Sequence, residues 1–222
     1  MVSGFNVGLV AFVFMLILKL AHIGRRPRIA ATIVLLALYC LMTGASSPVV
    51  RATVMATVFL SAYYVRREPD VYVSLSIAAL FVLLPCPAQF FDIGFQLSFA
   101  SVAAIVSLYP RLTSCLLPSG CKGIFRFLAE GLLVSVSAWL GTLALVACYF
   151  RLFSPVTPFA NIVIVPLAAL ITLSGFMLIG IATIAPPLAP FFALSCELQV
   201  FLLLKISCFL ARLPGACISL GH

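Results

Sequence analysis

A carboxylate, an amide and a hydroxyl lie inside one of the most apolar parts of this chain. Asp92, Gln96 and Ser98 occur within about two helical turns, and most of the residues around them are apolar. An ionisable group at the centre of a membrane helix costs about 3 kcal/mol or more. We therefore expect these side chains to face other protein or a water-filled path, and not lipid. Interhelical hydrogen bonding is the ordinary alternative for Gln96 and Ser98.

Arg51 is the second charged side chain in apolar surroundings. It follows an interruption of the apolar pattern at residues 44–48, just as Asp92 follows the Pro-Cys-Pro of residues 85–87. We expect Arg51 and Asp92 to pair or to line one vestibule. Alternatively, each is an interfacial residue whose charged group reaches water, which is how long basic side chains behave near helix ends.

Proline and glycine mark the places where helices are expected to break. The predicted breaks are at Gly44, Pro48, Gly94, Pro155, Pro158 and Pro166. Irregular backbone at membrane depth is tolerated only when it is buried in protein or lines an aqueous cavity. Broken helices flank substrate sites in transporters. Ordinary helix ends at the membrane interface are the alternative for each break.

No enzymatic site is expected. The sequence has no Gly-x-Ser-x-Gly elbow, no His-Glu-x-x-His and no glycine-rich phosphate loop. The two histidines, His22 and His222, offer no partner for a nucleophile, and the eight cysteines occur singly, without a Cys-x-x-Cys pair. We therefore predict no catalytic residue, no cofactor and no metal.

Composition places the chain among polytopic membrane proteins. Of its 222 residues, 64% are hydrophobic and only 8% are charged, which lies outside the globular range. No strand-like alternation dominates, which argues against an outer-membrane barrel. The expected fold is an all-α bundle of seven or eight transmembrane helices with broken or re-entrant segments, in one membrane domain over residues 1–222.

The apolar runs give approximate helix bounds, because a spanning helix needs about 20 mostly apolar residues. We predict helices over residues 5–22, 29–43, 49–65, 71–84, 93–109, 127–150, 159–184 and 191–213. The longest connection is predicted at residues 110–126. The second helix is short, so a mid-membrane break at residues 44–48 would reverse the orientation of everything after it.

Basic residues predict the orientation of the bundle, because cytoplasmic loops carry an excess of Lys and Arg. With the N-terminus outside, the inner connections hold Arg25, Arg26, Arg28, Arg66, Arg67, Arg111, Lys122 and Arg126. The outer side keeps Arg51, Arg151 and Arg212. We therefore expect a protein of the inner (cytoplasmic) membrane whose two termini are both extracytoplasmic.

Four segments, in order, resemble elements of the ComEC-type competence family, whose membrane domain belongs to the bacterial DNA-uptake channel. Residues 92–101, Asp-Ile-Gly-Phe-Gln-Leu-Ser-Phe-Ala-Ser, are similar to the Gly-Phe-Gln-Leu-Ser-Phe signature of the family. Residues 43–52 resemble its Thr-Gly-x-x-x-(Ser/Pro)-x-x-Arg-Ala element. Residues 154–166 resemble its Asn-x-x-x-x-Pro element, and residues 3–8 its Ser-Gly-Leu-His-Val-Gly element, with Asn6 in the place of the His.

The resemblance implies a membrane channel component that passes single-stranded DNA across the cytoplasmic membrane during natural transformation. On this reading the pathway residues are Asn6, Arg51, Asp92, Gln96, Ser98 and Asn161. The implied partners are membrane lipids, single-stranded DNA and other competence proteins, and a homo-oligomer is a further alternative. We also expect the N-terminal OB-like and C-terminal metallo-β-lactamase-like domains of longer members to be absent, which leaves a fragment of a longer protein open. A small-solute permease and a non-transporting structural subunit are the alternative functions.

Overall fold

The computed structural model describes residues 4–65, 70–117, 123–212 and 218–219. This part of the chain forms eight α-helices. They are α1 (Gly4–Leu20), α2 (Arg25–Met42), α3 (Ser47–Tyr64), α4 (Val71–Leu83), α5 (Ile93–Leu116), α6 (Ile124–Phe150), α7 (Thr157–Ile184) and α8 (Ala189–Ala211). Short 3-10 helices precede α5, at Pro87–Phe91, and α8, at Pro186–Leu188. The predicted all-α fold is confirmed.

The predicted connection over residues 110–126 is wrong for most of its length. Helix α5 continues through Pro110 to Leu116, and α6 begins at Ile124. A proline removes one backbone donor, but a membrane helix can tolerate it where the freed groups find other partners. Arg111 and Arg126 therefore lie on helices and not in a loop. Arg66, Arg67 and Lys122, from the same orientation count, lie outside the described residues, as does His222.

Four of the described helices are long and apolar enough to cross a membrane, namely α5, α6, α7 and α8. Helices α1 and α4 are apolar but shorter, and α2 and α3 have 18 residues each. The chain is a multi-pass membrane protein. Seven or eight crossings stay a prediction, because length and composition support four.

The contacts divide the chain into two compact units, Met1–Val106 and Ser107–His222, and the boundary falls within α5. The single membrane domain stays a prediction. In the first unit α3 packs against α1, α2 and α4. Gly4 permits the close approach of α1 to α3, since a Cβ at position 4 would lie 3.2 Å from the Cβ of Ala52 on α3. Helix α3 is therefore the central element of this unit, and it carries Arg51.

In the second unit α7 packs against both α6 and α8. The ring of Trp139 on α6 lies 5.5 Å from that of Phe153, which belongs to the two-residue strand β1 (Leu152–Phe153). This strand pairs antiparallel with β2 (Ile218–Ser219). None of the residues in the most apolar windows of α7 and α8 is buried, so these helices present apolar surface to lipid.

Candidate functional site

The side chain of Arg51 is almost fully buried in the first unit. It lies in the second turn of α3, and only 5% of it is exposed. Its Nη1 donates to Ser47 Oγ at 2.7 Å, one turn earlier on the same helix, and to Asp92 Oδ2 at 3.0 Å. The predicted pairing of Arg51 with Asp92 is confirmed. Burial of a guanidinium requires such a partner, because a buried charge without one is costly.

Asp92 stands immediately before α5 and joins the start of that helix to α3. Its Oδ2 also accepts a hydrogen bond from the backbone N–H of Phe95 at 3.1 Å. This is the bond of an N-cap residue, which satisfies one of the free donors in the first helical turn. One carboxylate oxygen therefore accepts from both a guanidinium and a helix N-terminus. Asp92 itself is half-exposed, at 48% of its side chain.

Gly94 leaves room for this ion pair. A Cβ at this position would lie 3.0 Å from Arg51 Nη2 and 3.2 Å from Asp92 Oδ2. Contacts of 3.0–3.4 Å are tighter than nine in ten of those that real Cβ atoms make. Any larger residue at position 94 must therefore displace the guanidinium, the carboxylate or the start of α5.

The residues around Gly94 also hold the start of α5 in place. Phe95 is buried, and its ring stacks on that of Phe99 at 4.2 Å between centroids. Gln96 Nε2 donates to the backbone carbonyl of Phe90 at 3.1 Å, which ties α5 to the 3-10 helix before it. The hydrogen bond of Gln96 is thus local, and it differs from the interhelical bond that was the alternative for this side chain.

The predicted breaks have different outcomes. Gly44, with φ +75°, lies in the turn between α2 and α3, and Pro48 is the second residue of α3. The two helices pack against each other as a helical hairpin. Gly94 lies in the first turn of α5, directly after an interruption. Residues 44–48 therefore connect two packed helices and do not interrupt one long helix.

The breaks around α7 are fewer than predicted. Pro155 lies in a turn before this helix, and Pro158 is its second residue. Pro166 does not break the helix, because α7 continues through it and is 28 residues long. A proline in the first turn costs no hydrogen bond, whereas one in the interior removes a donor that the rest of the helix must compensate for.

The remaining predicted pathway residues do not join the Arg51 pair. Asn6 lies half-buried on α1. Ser98 is half-buried on α5, where its backbone carbonyl accepts from the hydroxyl of Ser101 at 2.9 Å. Asn161 lies in the second unit. Its pathway role, like those of the other five residues, stays a prediction.

Asn161 lines a cavity of about 410 Å³ in the second unit. Its walls are mostly apolar, and the polar residues among them are Tyr109, Glu130, Ser135 and Asn161. Glu130 accepts from Nε of Arg126 at 2.8 Å, one turn earlier on α6. Pockets of this size with a few convergent polar groups are typical of small-ligand sites.

Sequence reasoning missed three polar contacts. Ser47 was not singled out as a partner of Arg51, although it stands four residues before it, the spacing at which helical side chains meet. The same spacing relates Arg126 to Glu130. The third contact joins α7 to α8, where Ser174 Oγ lies 3.1 Å from Gln199 Oε1. The only sequence signal for this contact is that Ser174 and Gln199 are isolated polar residues in apolar runs.

Within the part of the chain that the structure describes, no group of three or more His, Cys, Asp or Glu side chains could hold a metal ion. The buried hydroxyls that lie inside helices mostly bond to carbonyls of the preceding turn. Examples are Thr32 with Arg28, Ser74 with Asp70 and Ser137 with Leu133. Such local bonds satisfy a hydroxyl without a ligand.

Comparison with known proteins identifies relatives for the whole chain. Residues 1–222 match the family described as Competence protein. The chain is 30% identical over 175 residues to ComE operon protein 3 of Bacillus subtilis (strain 168). This alignment covers 78% of the chain but only 21% of that relative. No solved structure matches the chain.

Proposed function

Because the chain belongs to the competence protein family, we propose that it forms part of the path by which single-stranded DNA crosses the cytoplasmic membrane during natural transformation. The observation that carries the proposal is the buried Arg51 held between the starts of α3 and α5. A polyanion needs fixed cations along its path to replace its counterions. The proposed role is passage, with no catalytic step.

The six predicted pathway residues support this role to different degrees. Arg51 supplies the cation, and Asp92 holds it in place and caps α5. Gln96 supports that junction through Phe90. Asn6, Ser98 and Asn161 are the proposed polar lining, with aromatic rings as surfaces on which bases can stack. Other competence proteins and a second copy of the chain are the proposed partners.

The test is transformation frequency in a competent host whose own gene is replaced by variants of this one. Arg51→Gln removes the cation but keeps a polar side chain of similar length. We expect transformation to fall to background at a normal level of membrane-inserted protein. Arg126→Gln is the matched control, since Arg126 is half-exposed and pairs with Glu130 one turn further along the same helix. Wild-type transformation in the Arg51→Gln strain would reject the proposal.

We also propose that both termini are extracytoplasmic. This orientation places Cys86, before α5, on the outer side and Cys115, at the end of α5, on the inner side; both are exposed. In single-cysteine variants, a maleimide that cannot cross membranes should label Cys86 in intact cells and Cys115 only after lysis. The reverse pattern would invert the orientation.

A small-solute permease is the second candidate, and the cavity around Asn161 is the observation that favours it. Flux of labelled solutes into liposomes that contain the purified protein tests it. Solute flux that is lost in Asn161→Leu and kept in Arg51→Gln would favour the permease over the DNA path.

A further inference from the structure

We propose that the junction of α3 and α5 is a phosphate-binding site that Asp92 occupies in this structure and that a phosphate of the substrate takes over by displacing the carboxylate. The inference rests on the proposed function, because it assigns the polyanion a defined contact. The site consists of Arg51, Ser47 and the first turn of α5.

The position of Asp92 Oδ2 is what identifies the site. This one oxygen accepts from Arg51 Nη1 at 3.0 Å and from the N–H of Phe95 at 3.1 Å. A guanidinium together with backbone N–H groups at a helix N-terminus is a common arrangement for binding phosphate oxygens. The carboxylate oxygen thus stands where a phosphate oxygen would bind, and both would use the same two donors.

The junction is net positive even with the Asp92 carboxylate in place, and this charge favours the binding of an anion. Each helix N-terminus carries about half a positive charge, and both α3 and α5 begin here. Added to the guanidinium, these outweigh the single carboxylate and leave about one net positive charge. A phosphodiester brings one negative charge, so its exchange for the carboxylate keeps the guanidinium paired.

Burial determines which partner can leave. Arg51 is 95% buried, and its Nε has no hydrogen-bond partner among the described residues, while half of Asp92 is exposed. Asp92 is therefore the partner that can rotate into water, provided that a phosphate oxygen replaces it, whereas the guanidinium stays in place. Gly94 keeps a side chain away from Nη2 and from Asp92 Oδ2, which leaves space at this nitrogen for a further oxygen of the ligand.

Asp92→Asn separates this proposal from a purely structural pair. Asparagine keeps an oxygen for Arg51 and is as good an N-cap as aspartate, but it removes the competing negative charge. We expect the full chain in zwitterionic nanodiscs to bind a fluorescent oligothymidylate about tenfold more tightly when it carries Asp92→Asn, since no carboxylate then competes with the phosphate for the two donors. Inorganic phosphate should compete for the site.

Two further variants give the proposal its controls. Arg51→Gln should weaken binding and reduce the slope of log K against log salt by about 0.7, the value for one phosphate contact of a single strand. Asp70→Asn makes the same change in net charge at the N-cap of α4, where the carboxylate accepts from the N–H of Tyr72, and should leave the affinity within about twofold. Unfolding midpoints in SDS establish that each variant is folded.

Several outcomes would overturn the proposal. They are equal or weaker binding by Asp92→Asn, an equal gain in Asp70→Asn, and a wild-type chain that does not bind the oligonucleotide. A gain only in nanodiscs with anionic lipid, and for headgroups only, would assign the junction to lipid instead. If oligonucleotide binding follows the prediction while Arg51→Gln still transforms normally, the site stands and the proposed function fails.

Discussion

Replacement of Gly94 by alanine should destabilise the protein through the Arg51 pair. The new Cβ would lie 3.0 Å from Arg51 Nη2 and 3.2 Å from Asp92 Oδ2, so these atoms would have to move by a few tenths of an ångström. The guanidinium cannot move without loss, because it is 95% buried and bonded to Ser47 at 2.7 Å. Overpacking of this kind costs about 1–3 kcal/mol.

The matched control is Gly175→Ala on α7, where an added Cβ would meet nothing within 4 Å apart from its chain neighbours and the local backbone of its own helix. Alanine in the interior of a helix gains about 1 kcal/mol over glycine, so Gly175→Ala should be neutral or stabilising. The two variants should therefore differ by at least about 1–3 kcal/mol. This difference isolates the contact with the ion pair from the helix propensity of alanine.

The measurement is reversible unfolding by SDS in mixed micelles, with both variants compared at one lipid composition. A second comparison locates the clash. In an Arg51→Gln background the guanidinium is gone, so Gly94→Ala should lose most of its cost and give a coupling energy of about 0.5–3 kcal/mol. If Gly94→Ala is as stable as Gly175→Ala, or costs the same with and without Arg51, the close approach is not what requires glycine.

Three further predictions use the same unfolding assay. Asp92→Ala should cost about 1–3 kcal/mol more than Asp92→Asn, because alanine leaves the buried guanidinium and the N–H of Phe95 without an acceptor; equal costs would contradict this. Glu130→Ala should change the free energy of unfolding by less than about 1 kcal/mol, since its pair with Arg126 is partly exposed, and a larger loss would mean that the cavity depends on this carboxylate. Ser174→Ala should cost about 0.6 kcal/mol, the average for interhelical hydrogen bonds in membranes, and should cost nothing further in a Gln199→Leu background.

The ion pair could be predicted from the sequence because the cost of isolated charge leaves few alternatives. Arg51 and Asp92 each stand in apolar surroundings next to a helix start. In such surroundings a charge must find water or an opposite charge. The structure shows the pair, and in the described residues it shows eight α-helices in the order that the apolar runs predict.

Local hydrogen bonding and proline tolerance could not be predicted in the same way. Gln96 bonds to the carbonyl of Phe90 and not to another helix, a choice that depends on the path of the 3-10 helix between them. Pro110 and Pro166 both lie inside continuous helices. A single sequence records the missing donor of a proline, but it does not record whether neighbouring groups compensate for it.

The Gly-Phe-Gln segment acts as a junction more than as a lining. Gly94 gives the guanidinium room, Phe95 is buried and donates to Asp92, and Gln96 ties the segment to the preceding turn. Each of these contacts fixes the position of Arg51 relative to the start of α5. A loss of DNA uptake caused by changes in this segment would therefore report on the placement of one cation. Arg51→Lys separates the effect of the charge from the effect of its placement, because lysine keeps the charge without the fork of donors that reaches both Ser47 and Asp92.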